Sequence, residues 1–178
     1  PLYSSAASDV YKRQVLIMIL SIDPGNEYSA YSLLDKNLKP VKFGKVLNHD
    51  LLIILEELFL IECITDVAIE MIASYGMAVG KTVFDTCVWI GRFYQLISER
   101  SNIKPTFIYR KDEKMCICGN MKAKDSNIRQ ALIDRFANHD FKNGKGNKKN
   151  PDWFYGFKAD VWAAYAVGVT YHELKKET

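Results

Sequence analysis

The sequence predicts an α/β fold, a mixed sheet of three antiparallel strands followed by parallel strands, with helices on both faces. Three observations predict it. Residues 15–21 form an unbroken apolar-or-small run that reaches Ile22 and stops at Asp23, as a strand covered on both sides would. Two further strand-like segments follow across turn signals. Beyond them, helical periodicities alternate with short apolar runs, which places helices across a sheet.

The elements follow in order. The first strand spans 16–22, and Pro24-Gly25-Asn26 turns the chain. Residues 28–35 alternate loosely and end at Asp35-Lys36-Asn37, a hairpin signal. A third strand at 39–47 sets Val41, Phe43 and Lys45 against Lys42 and Gly44. Asn48-His49-Asp50 offers an N-cap for a helix at about 50–63. "DVAIEMI" (66–72) is a short strand with Glu70 inside it. Val79, Val83, Cys87, Ile90, Tyr94 and Ile97 mark one face of a long helix at 79–100. Phe84, Val88 and Gly91 widen that face, and Trp89 and Phe93 fall elsewhere. Such a helix packs against two things, its own sheet and a partner subunit. "PTFIY" is a strand, Lys124-Asp125-Ser126 opens a helix through about Ala137, and a last helix runs from about Phe157 to Leu174.

Bulk properties narrow the class. A chain of 178 residues with 48% hydrophobic content suits one domain, at 15–178. The first fourteen residues, "PLYSSAASDVYKRQ", lack apolar period or signal-peptide organisation and are expected to be a non-native extension. No apolar run is long enough for a membrane span. Net charge is only +3, which by itself names no partner. Residues 141–158, however, hold five lysines against one acid, either a solvated loop or a phosphate-binding one. Cys63, Cys87, Cys116 and Cys118 complete no zinc set and suggest a reducing, cytoplasmic setting.

Three carboxylates sit in awkward places. Asp23 ends the first strand, Glu70 lies in the fourth, and Asp160 lies near the start of the last helix, on its apolar side. A lone buried carboxylate is costly, and one is explained by a local hydrogen bond. Three together call for a positive partner. Hard divalent ions with oxygen ligands supply it, and Mg²⁺ or Mn²⁺ held by few carboxylates is the apparatus of two-metal phosphodiester cleavage.

"ILSIDPGNEYSAYSLLD", "VAIEMI", the helix with "WIGRF", "KMCICGNMKAKDSNIRQALIDRF" and "GFKADVWAAYAVGVTY" resemble, in order, the blocks of RuvC-type Holliday junction resolvases, most nearly the phage and Firmicute branch. The resemblance spans about residues 17–172. It implies an RNase H-like fold, a homodimer, and Mg²⁺-dependent paired nicking of four-way DNA junctions in recombination, repair or phage DNA processing. Mn²⁺ would substitute, with two ions per active site, in a bacterial cell or a phage-infected one. Asp23 would bridge both metals, with Glu70 and Asp160 as further ligands. The family often has a fourth acid three residues before the helix aspartate, where this chain has Phe157. Lys158 beside it, or Asp152 if its loop folds back, is an auxiliary candidate.

The resemblance also suggests DNA contacts. Lys122, Lys124 and Arg129 lie in a stretch leading into a helix, and Lys114 is a candidate for the same surface. Tyr75 either unstacks a junction base or packs on the rim, and Lys81 lies just beyond. Lys145, Lys148 and Lys149 precede the Asp160 helix; Asp134 and Asp140 are expected to be surface acids. A non-catalytic branched-DNA-binding protein of the same fold is the alternative, and Phe157 is what keeps it open. Sugar-kinase-type ATPases also end their first strand in Asp-x-Gly, but need a duplicated domain for which this chain is too short.

Overall fold

The computed structural model describes residues 17–74, 76 and 78–176, so the expected N-terminal extension and Tyr75 lie outside the described residues. Three strands come first: β1 (Met18–Asp23), β2 (Tyr28–Leu34) and β3 (Pro40–Leu47). Then come α1 (Asn48–Ile61), β4 (Ile64–Met71), α2 (Lys81–Ser101) and β5 (Thr106–Tyr109). Three helices close the chain: α3 (Arg110–Cys118), α4 (Asp125–Phe136) and α5 (Val161–Lys176). The strands form one sheet in the order β3-β2-β1-β4-β5. β1, β2 and β3 pair antiparallel, while β4 joins β1, and β5 joins β4, in parallel.

The apolar run in β1 sits at the centre of the sheet because both of its faces are covered. Successive side chains point to opposite faces. Met18, Leu20 and Ile22 therefore pack with Leu51, Leu55 and Leu58 of α1 and Ile90, Phe93 and Ile97 of α2. Ile19 points the other way, into a cluster with Leu132, Phe154, Phe157 and Tyr165 beneath α4 and α5. Helices thus cover both faces. Gly168 lets α5 lie close on the sheet: a Cβ there would stand 2.6 Å from Leu34 Cδ1 and 2.8 Å from Ser21 Oγ.

Four expectations are corrected. α1 begins at Asn48 itself, whose side chain is spent elsewhere, as described below. α2 begins at Lys81 and buries Thr86, Ile90, Phe93 and Ile97; Phe93 belongs to the core, and Val79 is exposed. A helix not read from the sequence, α3, follows β5 without a loop. The Tyr109 N–H donates to the Asp112 carboxylate at its start, and Gly119, with φ 61°, ends it. Finally, α5 starts at Val161 rather than near Phe157, because Ala159 takes a positive φ of 34° that a helix does not permit. All four cysteines are free, and no helix among the described residues is long and apolar enough to cross a membrane.

Candidate active site

Strand parity unites two of the acids. Ile22 pairs with Ile69 across β1 and β4, so the next residues, Asp23 and Glu70, lie level at the carboxyl ends of adjacent parallel strands. They share the face of Ser21 and Ala68, which α5 covers. Their side chains are close enough to hydrogen bond, which requires a proton between two carboxyls when no cation is there. Burial, first, and then the charge of Glu70 hold Asp23 well above the usual carboxylate range, with Asp160 and Glu113 adding to it.

The turn after Asp23 is fixed by side chains. Asn48 Nδ2 donates to the Gly25 carbonyl at 2.9 Å, and its Oδ1 accepts from Ser29 Oγ at 2.6 Å. Ser29 Oγ in turn accepts from the Gly25 N–H at 3.1 Å. Only glycine fits at 25, since a Cβ would lie 2.2 Å from the Tyr28 carbonyl oxygen. The expected helix cap is thus a clamp on the loop that leaves Asp23.

Asp160 stands immediately before α5, and its side chain is 46% exposed. Its Oδ2 meets Lys45 Nζ at 2.5 Å. Lys45 reaches it because Asp23 pairs with Ala30 and Ala30 with Lys45, one row across three strands with a small buried residue in the middle. The hydrogen bond to Asp160 is the main cause of a raised Lys45 pKa. Sequence reasoning gave Lys45 no role; its place in the row is set by hairpin register, which no local pattern reveals. Among the described residues, no three Asp, Glu, His or Cys side chains are gathered tightly enough to form a ready cation cage. The oxygen-only donor set of Asp23, Glu70 and Asp160 fits a hard divalent ion, and the Asp23–Glu70 contact is the repulsion such an ion would relieve.

A fourth acid reaches this cluster from an unexpected element. Glu113, in the first turn of α3, is fully buried. Arg110 Nη1 donates to its Oε2 at 2.5 Å, while Oε1 has no hydrogen-bond partner among the described residues. Burial and the charge of Glu70 push its pKa up to about 8, against the opposing pull of Arg110. Arg110 also pairs with Asp125 at the start of α4. "RKDEK" reads as a solvated charge run in sequence. Only the placement of α3 against β5 buries one of its members.

The auxiliary candidates divide. Asp152 is not brought to the acids: its carboxylate accepts from the N–H groups of Asn138, His139, Asp140 and Trp153, which hold its pKa far below the usual range. Asp140 likewise accepts from Asn143, Lys145 and Gly146 and is a loop organiser, not simply a surface acid. Phe157 is fully buried among Phe43, Phe154, Trp162 and Tyr165 and has no place in a polar site. Lys158 is exposed one residue on.

Of the expected DNA contacts, Arg129 shares a cleft with one of the acids. It stacks over Trp162 at 4.7 Å and lines, with Arg110 and Asp160, a cleft of about 110 Å³. Lys142 and Asn143 border its continuation. Lys122, Lys124, Lys148 and Lys149 are exposed, and Lys114 and Lys145 half-buried. Lys81 pairs with Asp85 one turn along α2.

No protein-family model matches this chain, and no curated protein matches it. Solved structures do. The chain superimposes on T. thermophilus RuvC in complex with a Holliday junction substrate, with a TM-score of 0.70 and 11% identity, over 90% of this chain and 96% of that one. A second Thermus thermophilus RuvC structure aligns with a TM-score of 0.63, 12% identity and the same coverage. The likeness establishes the fold: a RuvC-like, RNase H-like mixed α/β sheet.

Proposed function

We propose that this protein is a divalent-metal-dependent endodeoxyribonuclease that resolves four-way DNA junctions by paired nicks. The observation that carries the reading is the half-buried Asp23–Glu70 pair at the ends of two adjacent parallel strands, with Asp160 facing it from the start of α5. Its fold is that of a RuvC seen with a Holliday junction, and the ordered sequence blocks point the same way, toward the phage and Firmicute branch. Mg²⁺, or Mn²⁺ in its place, would supply a polarised phosphate and an acidified water. Asp23, Glu70 and Asp160 would hold the metal. Lys45 would release Asp160 to it and remain beside the phosphate as a counter-charge. Arg129 would take a neighbouring phosphate along the cleft. Phe84 and Val88, one turn apart on α2 and 59% and 62% exposed, offer an apolar face for a homodimer that cuts both strands. Such an enzyme works on DNA in the cytoplasm.

A second reading is a branched-DNA binder without cleavage. Phe157, buried where related chains often carry an acid, favours it.

The test is cleavage of a labelled four-way junction and its matching linear duplex by the whole chain, with Mg²⁺, Mn²⁺ or EDTA. Paired nicks confined to the junction and to metal support the nuclease. Asp23→Asn is expected to cut by at least about a thousandfold less while still binding the junction. Tight binding by the wild type without nicks in either metal selects the second reading.

A further inference from the structure

We infer that Glu113 is the fourth carboxylate of the metal centre, filling from α3 the role that Phe157 leaves vacant. The inference deepens the proposed nuclease reading and rests on it.

Placement comes first. Glu70 of β4 pairs with Ile108 of β5, and α3 begins two residues later, at Arg110. The first turn of α3 therefore rises beside the strand ends that carry the acids. Glu113 lies in that turn, fully buried, and its charge acts on both Asp23 and Glu70.

Pairing is the second observation. Arg110 is shared: one of its nitrogens holds Glu113 Oε2 and the other holds Asp125. The other oxygen, Oε1, is buried without a hydrogen-bond partner among the described residues, on a carboxyl whose charge couples to Glu70 and Asp23. A buried acceptor of that kind is costly in a finished structure. A purely structural ion pair with Arg110 accounts for Oε2 and leaves Oε1 unexplained. A divalent ion among the acids satisfies Oε1 and offsets the repulsion at once. Arg110 then acts as a positioning residue that fixes the Glu113 carboxylate through Oε2.

The experiment measures Mn²⁺ binding by calorimetry and by loss of the free-ion spin resonance signal. It uses the whole chain as wild type, E113Q, E113D and D23N, with melting in EDTA and in Mn²⁺ alongside. Expected results are tight binding by the wild type, loss in D23N, and affinity weakened about tenfold or more in E113Q. E113Q should melt in EDTA no lower than the wild type, and Mn²⁺ should raise its melting temperature less. Unchanged Mn²⁺ stoichiometry and affinity, with a lower melting temperature in EDTA, would make Glu113 only a structural partner of Arg110 and overturn the inference. If E113Q does not fold, E113D decides: it keeps the charge but withdraws the carboxylate by one methylene, and wild-type Mn²⁺ affinity there overturns the inference too. Equal Mn²⁺ binding by the wild type and D23N would instead sink the nuclease reading beneath it.

Discussion

Asp152→Asn separates loop architecture from metal chemistry. The Asp152 side chain is sealed from solvent, and its two oxygens take five donors. Oδ1 serves the N–H and side-chain amide of Asn138, at 2.8 and 3.1 Å, and the N–H of Trp153 at 2.7 Å. Oδ2 serves the N–H groups of His139 and Asp140 at 2.9 and 2.7 Å. An asparagine can keep the first set, but its amide nitrogen then faces the N–H donors of His139 and Asp140 instead of accepting from them. Two charge-assisted bonds are lost, at roughly 1.5–3 kcal/mol each, for a total of about 4 kcal/mol. In a chain of this size that lowers the melting temperature by roughly 10 °C. Thermal melting by circular dichroism measures it, together with Mn²⁺ titration of the folded protein, whose affinity should not move. A melting temperature within about 2 °C of the wild type refutes the loop account. Lost Mn²⁺ binding with unchanged melting would return Asp152 to the metal site.

Two other tests address the site and the seam behind it. Glu113, at about 8, and Asp23 both lie above their unfolded values, so in EDTA they stabilise the fold at low pH and lose that contribution as pH rises. The groups facing Glu113 are Glu70, Arg110, Asp125 and Asp23. Between pH 6.5 and 8 the loss should be about 2 kcal/mol, and saturating Mg²⁺ should flatten it; a melting temperature that stays level or rises in EDTA contradicts the raised carboxyls. Gly168→Ala pushes a methyl against Leu34 and Ser21, and overpacking should outweigh the gain in helix propensity by about 1–2 kcal/mol. Urea denaturation at an unchanged midpoint would show that α5 can shift on the sheet without cost.

Most of the scaffold was legible because its signals are local. The apolar run before Asp23, the hairpin turns and the helical stripe through Ile90 and Ile97 each follow from spacing alone. What escaped was set by contacts distant in sequence. α3 is nine residues long, polar in its first turn and joined directly to β5, so it shows neither a loop nor an apolar period. Phe93 entered the core because α2 rotates to bury Thr86 as well, which a purely apolar stripe does not anticipate. Among the site residues, Asp23, Glu70 and Asp160 stood out as charges inside apolar segments. Lys45 and Glu113 did not, since Lys45 is one member of an alternating strand and Glu113 one of the charged run 110–114, and both acquire meaning only through register and burial. Asp152 illustrates the reverse error. An acid near the right place in sequence was already committed to closing a turn.

The row Lys45, Ala30, Asp23 and Glu70 has a consequence for how such a protein can change over evolutionary time. The placement of these four side chains is written in the odd-and-even alternation of four neighbouring strands. Substitutions that keep apolar side chains on their faces leave the row untouched, however many accumulate. A single residue gained or lost within β2 would turn Ala30 outward and bring its neighbour Tyr31 or Ser29 between Lys45 and Asp23. Lineages carrying this site should therefore tolerate wholesale replacement of letters while rejecting the smallest insertion inside a strand.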